Sequence, residues 1–354
     1  MTVQLSGEEC TLLIDSLQKL LEDGWPVEDG LERAKDVAAL QRLSSALCEL
    51  GLTTLGATEG PGLVEALLVF ERLGSGAAPA PLMGALVANL LLDGTDDEAV
   101  RAFVENVQSG EAVPAVALGA FDGDRMAGAA SYAAGQLSAS LKLVEDVASA
   151  THLIVLVQEP AGLAILPADA QGVGVVADPG LAVPSLSAVE ISAAPQLWQP
   201  FSRDRLANIA QLVRLLALAR ALGAAQRGFD LALDHAKVRR QFGHAIGEFQ
   251  AIQHKLVDCS SRLDGAKLLL SSAGAAHDRG DDAWTVLADA ALAFAGPALR
   301  QVALEVHHIL GAIGYAEEHE APRHFRRIHA DLLRFGGTAR ARAELADYLL
   351  RPAA

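Results

Sequence analysis

From Ser6 onward, Leu12, Leu13, Ile14, Leu17, Leu20 and Leu21 recur at helical spacing until Gly24 and Pro26 end the run. Ser6 followed by Glu8 and Glu9 is a helix-start signal. A hydroxyl accepts from the unpaired N–H groups of the first turn, and carboxylates suit its positive end. The pattern predicts a helix there and further helices through "AKDVAALQRLSSALCELGL" and "GLVEALLVFERLG", with "ATEGPG" as the turn between them. From about residue 113 to 195 the texture changes. Short apolar runs ("AVPAVAL", "HLIVLV", "LAILP", "GVGVV", "AVEIS") alternate with Gly, Asp and Pro. They predict a small antiparallel β-domain, a sandwich or barrel.

The helical period returns from about residue 202. Leu212, Leu216, Ala219, Leu222, Ala225, Phe229, Leu233 and Ala236 form one face, with Arg214, Arg220 and Arg227 expected elsewhere on the surface. Another helix follows Gly247 with Phe249, Ile252, Leu256 and Cys259, and a third runs through "AWTVLADAALAFAGPALRQVALEVHHILG". The expected class is α+β, mostly α, in three zones. These are a helical domain over 1–112, a central β-domain over 113–200 and a helical bundle over 201–354. No repeat of fixed period is visible.

Composition narrows the functions. With 51% apolar and 20% charged residues, the 354-residue chain is expected to bury a sizeable core. A net charge of −16 argues against nucleic acid or an anionic membrane as the main partner, while leaving room for a local basic pocket. Cys10, Cys48 and Cys259 lie far apart without metal spacing and fit buried roles in a reducing compartment. The start "MTVQLSGEEC" has no secretory pattern and "GALVANLLL" is short for a membrane span, so a cytoplasmic protein is expected.

The stretch richest in chemistry is "RRQFGHAIGEFQAIQHKL", residues 239–256. Arg239 and Arg240 end one helix, Gly243 and Gly247 break the chain, and a new helix begins near Glu248. Cations beside the free N–H groups of a helix start suit a phosphate or pyrophosphate. Gln241 offers bonds to a ribose or base edge, and Phe242 a face for an adenine or flavin ring. The plainer alternative is that the arginines close a helix C-terminus and Phe242 is core.

This stretch resembles the Arg-x-Gln-Phe-Gly-x-x-Ile-x-x-Phe-Gln hallmark of the acyl-CoA dehydrogenase family. "HHILGAIGYAEEHEAPRHFRR" approximates a second hallmark, His/Gln-x-x-Gly-Gly-x-Gly-Phe/Tyr followed by Glu. "TEGPG" echoes Pro-Glu-x-Gly-Gly, and "ERLGSGAAPAPL" is similar to the segment that follows it. The resemblance implies an N-terminal helical domain, a central β-domain and a C-terminal four-helix bundle. It also implies FAD, tetramers, and α,β-dehydrogenation of an acyl-CoA with hydride transfer to the flavin. Arg239 matches an arginine that reaches the FAD pyrophosphate of a neighbouring subunit. Gln241 and Phe242 match residues beside that adenosine, and Ile246 and Phe249 complete the motif. His308, Gly311 and Gly314 fall in a loop that touches the same adenosine. Ala312 stands where a second glycine is usual, and His308 where glutamine is common.

The flavin-ring half departs further. The family's Thr-Glu-Pro segment corresponds to Gly119, Ala120 and Phe121, and no later Trp-Ile-Thr-like segment appears. The reaction needs a carboxylate at the substrate α-carbon. One family position for it is taken by Gly336, or Phe335 with a slip of one. The other, 26 residues before Arg239, is Val213. Glu317, Glu318 and Glu320 read as structural or solvated, and Asp331 faces away from the lost base if its segment is helical. His307, His308, His319, His324 and His329 lack i, i+4 metal spacing. The implied function is the base-lacking subunit of a heteromeric acyl-CoA dehydrogenase, such as those that degrade steroid side chains. It would share FAD with a second family chain that carries the catalytic glutamate. A flavoenzyme with a displaced base and a flavin-free binding paralogue remain as alternatives.

Overall fold

The computed structural model describes residues 4–26, 30–121, 127–177, 186–334 and 337–350. Among the described residues six α-helices come first: α1 (Gly7–Gly24), α2 (Gly30–Arg33), α3 (Val37–Glu49), α4 (Leu63–Ser75), α5 (Met83–Leu92) and α6 (Glu98–Gln108). Ser6 caps α1 as its sequence indicated. Its hydroxyl accepts from Glu9 N–H at 3.3 Å, and its own N–H donates to the Glu9 carboxylate at 2.8 Å. Leu17 and Leu21 are buried on the inner face of α1, and the exposed side carries its carboxylates.

Eight strands follow: β1 (Pro114–Ala117), β2 (Gly128–Ala133), β3 (Gln136–Val144), β4 (His152–Gln158), β5 (Ala161–Pro167), β6 (Val173–Ala177), β7 (Ser187–Ala193) and β8 (Leu197–Pro200). They form two four-stranded sheets, β1-β4-β5-β8 and β2-β3-β7-β6. Leu137, Leu153, Val155, Leu166, Val189 and Ile191 pack between the sheets. Ile154, Leu156, Leu163 and Ile165 point from the first sheet into the main helical core, so β4 and β5 are apolar on both faces. One strand pair departs from the antiparallel expectation: β1 runs parallel to β4. Parallel neighbours need a long connection, here β2 and β3, and no local pattern announces it. β3 contributes no continuous apolar run because inward-facing Leu137, Ala139 and Leu141 alternate with exposed Gln136, Ser138, Ser140 and Lys142, and buried Val144 follows beyond a register shift.

The helix α7 (Arg203–Val238) starts at Ser202, whose hydroxyl accepts from Arg205 N–H. It ends at a two-strand hairpin, β9 (Arg240–Gln241) and β10 (His244–Ala245), followed by α8 (Gln250–Asp278), α9 (Trp284–Leu310), α10 (Ala321–Leu333) and α11 (Gly337–Leu349). α7 and α9 are long and apolar enough to cross a membrane by length and composition. In α7, 89% of that apolar window is buried inside the protein. Against α4 the crossing is close: a Cβ at Gly223 would lie 1.7 Å from the Glu71 carbonyl oxygen, and one at Gly74 1.9 Å from that of Arg220. α8, α9 and α10 complete the bundle around α7, with α11 along α9.

The bundle also caps the first domain. Asp278, the last residue of α8, accepts from the N–H groups of Leu63 and Val64 at 2.9 Å each, at the start of α4. Burial raises its carboxyl, but bonds from His277, Val64 and Leu63 outweigh this and hold it below the usual range. Its contribution is therefore present above the unfolded carboxyl's pKa and lost as pH falls through the folded one. Asp278→Ala is expected to cost about 1 kcal/mol at neutral pH, and less at pH 3, measured as a shift in urea midpoint.

Candidate functional site

Two regions answer to the residues singled out in the sequence, one facing out and one sealed. The outer one is the end of α7. Arg239 follows the last helical turn, its N–H donating to His235 C=O at 2.8 Å. Gln241 pairs with His244 across the hairpin, and Phe242 (φ 52°) and Gly243 (φ 83°) form its tip. Positive φ at both central residues is what a two-residue turn of this kind needs, and it matches the twist of the strands. Glycine adopts it freely. Phenylalanine does so at a cost of about 1–2 kcal/mol. Phe242 is also 91% exposed, with Phe249 edge-on to it at 6.3 Å between ring centroids. The core alternative for Phe242 is excluded. A strained, exposed aromatic thus stands between exposed Arg239, Arg240 and Gln241.

The hairpin is held from behind. Ala245 N–H and His244 Nδ1 both meet the Glu248 carboxylate, at 3.1 and 2.9 Å, and the half-buried Ile246 and Phe249 anchor it to the bundle. The second outer element is the turn after α9. His308 is exposed and bonds Glu305 at 3.2 Å. Gly311 has φ 64° and ψ −139°, a combination open in practice to glycine alone. Gly314 is buried, and a Cβ there would lie 2.9 Å from that of Leu310. Ala312, Ile313 and Tyr315 are exposed beside it. Burial, and then the charges of Arg239 and His319, push the His235 imidazole down.

The inner region is where a flavin ring and base would be sought. Val213 is buried and lines a cavity of about 20 Å³ bounded also by Gly84, Leu118, Gly119, Asp146 and Arg334. That is room for about one water. Gly119, Ala120 and Phe121 form a tight turn closed against α7, with Arg214 donating to Phe121 C=O at 2.8 Å and to Gln211 at 2.6 Å. Gly336 and Phe335 lie outside the described residues.

Beside this cavity lies a charge cluster. Arg220 donates to both Glu145 oxygens at 2.6 and 2.8 Å and to both Asp331 oxygens at 2.9 and 2.6 Å. Arg334 donates to Glu145 at 2.7 Å and to Leu143 C=O at 3.0 Å, and Arg327 lies 3.3 Å from Glu145 and 3.4 Å from Asp331. Burial pushes the Glu145 carboxyl up, but Arg220, Arg327 and Arg334 overcome it and hold it below the usual carboxylate range. Asp146, next in the chain and in left-handed backbone (φ 62°), goes the other way. Burial and then the Glu145 charge push it up to about 7, against the pull of the same three arginines.

One expectation is corrected here. Arg214 and Arg220 are interior residues, not surface ones, because α7 is enclosed on nearly every side. Asp331 is helical and buried, and it is committed to Arg220. Of the glutamates, Glu317 pairs with Arg326, Glu320 pairs with Arg227, and Glu318 is exposed, which agrees with structural or solvated roles. Among the described residues no cluster of His, Cys, Asp or Glu could hold a metal ion. Glu145 was not legible as a member of this cluster, because in the sequence it is one more carboxylate directly after the alternating strand β3.

Two measurements test the cluster. Arg220→Leu strands Glu145 and Asp331 without their main counter-charge, and is expected to cost about 3–5 kcal/mol in chemical denaturation. For Asp146 the folded chain binds the proton more tightly than the unfolded one, whose carboxyl titrates at 3.8. The contribution of Asp146 is therefore largest below that value and is lost as pH rises through about 7. Asp146→Asn should flatten the decline in urea midpoint across that window.

Comparison with known proteins fits this geometry. Residues 206–350 match the acyl-CoA dehydrogenase C-terminal domain. Acyl-CoA dehydrogenase FadE34 of Mycobacterium tuberculosis is 30% identical over 262 residues, covering 69% of this chain and 36% of FadE34. The matched segments span about a third of the length of the curated relatives. Among solved structures, the ChsE4-ChsE5 complex from Mycobacterium tuberculosis superposes with a TM-score of 0.86 at 22% identity, covering 99% of both chains. The Tcur3481-Tcur3483 steroid ACAD gives 0.84 at 23% identity, covering 97% of this chain and 98% of that one. Residues 206–350 are therefore an acyl-CoA dehydrogenase C-terminal domain, in a chain whose whole length takes the fold of those solved structures.

Proposed function

We propose that this chain is a subunit of a flavin-dependent acyl-CoA dehydrogenase that completes the FAD site of a partner and carries no base of its own. The observation that supports it best is the contrast between its two half-sites. The outer one is open and cationic: Arg239 for the pyrophosphate, Gln241 and Phe242 for the adenosine, with Ile246 and Phe249 behind them and His308, Gly311 and Gly314 alongside. The inner one has about 20 Å³ where a ring and a thioester would need hundreds. The residues present therefore fit the adenosine end of FAD but not its isoalloxazine. When bound, FAD supplies the hydride acceptor. This chain's residues would hold its phosphate end, and the partner would supply the catalytic glutamate and the acyl-CoA pocket. FadE34 is about twice as long as this chain, as the two coverages of one alignment imply, which accords with a working unit built from two such halves.

A displaced base needs a carboxylate in an open cleft. Asp331 is bonded at two points by Arg220, and Asp146 borders the small cavity, so neither meets that need. A flavin-free paralogue has no use for a strained Phe242 presented between exposed arginines.

The purified chain alone is expected to give no acyl-CoA oxidation above background, since a positioned base contributes about 10² to 10⁴ in rate. Val213→Glu and Gly336→Glu should not restore it, because the segment Gly119–Phe121, where the flavin cradle is expected, is also altered. Turnover by the lone chain with flavin present would establish a displaced base instead.

Co-purified with a partner subunit, the complex should carry about half as many flavins as chains. A charge-assisted bond is worth roughly 1.5–3 kcal/mol, so Arg239→Ala should weaken FAD retention about ten- to a hundredfold. One flavin per chain, or undiminished retention in the variant, would leave the arginines as mere helix ends.

A further inference from the structure

The outer half-site has two parts that the sequence keeps far apart: the hairpin at the end of α7, and the 311–319 turn after α9. Gly311 fixes the turn at one end. Its other end runs into Glu320, the N-cap residue of α10. The Glu320 side chain is only 17% exposed and makes three contacts. Arg227 of α7 donates to both its oxygens, at 2.5 and 3.2 Å, and His324 Nε2 lies 3.3 Å from one of them. A planar guanidinium held at two points fixes orientation as well as distance. Burial pushes the Glu320 carboxyl up, but the bonds from His324 and Arg227 bring it down to about 2, so it stays ionised across the physiological range. His324 is buried, and burial pushes its imidazole down despite the carboxylate. Nε2 then carries the hydrogen toward Glu320.

Arg227 stands twelve residues before Arg239, the residue that caps the same unbroken helix, about 18 Å along its axis. A stiff helix transmits a fixed anchor over that distance. The rest of the turn is secured elsewhere: Tyr315 stacks edge-on to His307 at 5.2 Å, and Arg326 of α10 pairs with Glu317. Those ties fasten the turn to α9 and α10. The Glu320–Arg227 pair fastens it to the helix that bears Arg239.

We propose that Glu320, acting through Arg227, is the positioning residue that sets the 311–319 turn against the Arg239 hairpin so that both meet one adenosine diphosphate moiety. This rests on the half-site function proposed above. Glu320 touches no cofactor itself. It registers two surfaces that must bind the same ligand.

The experiment uses the chain co-purified with its partner subunit and measures FAD retention for Glu320→Gln, Arg239→Ala and the double variant, with a melting temperature for each. Glu320→Gln keeps the shape and removes the charge. It is expected to weaken retention roughly three- to tenfold. Its effect should shrink in the Arg239→Ala background, because mispositioning matters little once the pyrophosphate contact is gone. A purely structural role gives a lower melting temperature and losses that multiply, and would overturn the inference. So would unchanged retention in Glu320→Gln while Arg239→Ala weakens it. If Arg239→Ala leaves retention unchanged, the half-site function itself fails. Arg227→Met removes the same ion pair from a side chain that is 42% exposed, and gives the same reading should Glu320→Gln not fold.

Discussion

One guanidinium with no exposed surface, that of Arg220, binds a carboxylate from the end of β3 and another from α10, and so joins the β-domain to two helices of the bundle. Taking three arginines and two carboxylates out of water carries a large desolvation cost, offset only by close, multiple contacts. Those contacts demand that the three elements stay where they are. With the cluster in place, α7 lies against the β-domain with about 20 Å³ to spare beside Val213, and the turn at Gly119–Phe121 closes onto Arg214. The enclosed interior and the absence of a carboxylate at Val213 are two aspects of one arrangement.

The cavity beside Val213 has little room for a ligand, which turns attention to the exposed end of α7. The end of α7 meets the conditions for that. It carries cations in water, a turn strained so as to project an aromatic ring, and a neighbouring glycine-dependent turn that lets backbone come close. Neither region would make sense alone in a self-sufficient flavoenzyme, which needs both halves of a site in working order. Together they support the proposed division of labour between chains, in which this one would contribute rigidity and charge.

The helical bundle supplies the rigidity. α7 spends its apolar length on the core and not on a membrane, and the close crossing at Gly74 and Gly223 leaves no room for sliding against α4. Asp278 adds a cap from the bundle to the first domain, 214 residues apart in sequence from the Val64 N–H it accepts. An anchor placed at Arg227 is therefore felt at Arg239.

Local physics made much of this legible from the chain alone. Ser6 and Ser202 cap helices because a hydroxyl one residue before a helix always meets the same unpaired N–H groups. The Gln-Phe-Gly-His turn and the cations before it are contiguous, so the outer half-site could be read residue by residue, and Val213 already lacked a carboxylate. What the sequence could not determine were contacts between distant residues. Arg220, Glu145 and Asp331 are separated by 75 and 111 positions, and an arginine in a helix looks the same whether it faces water or a carboxylate brought in from another domain. The parallel pairing of β1 with β4 and the registration of Glu320 on Arg227 belong to the same class. Periodicity reports which face of an element is apolar; only the packed structure decides what that face meets, because burial of a charge depends on partners that no local spacing records.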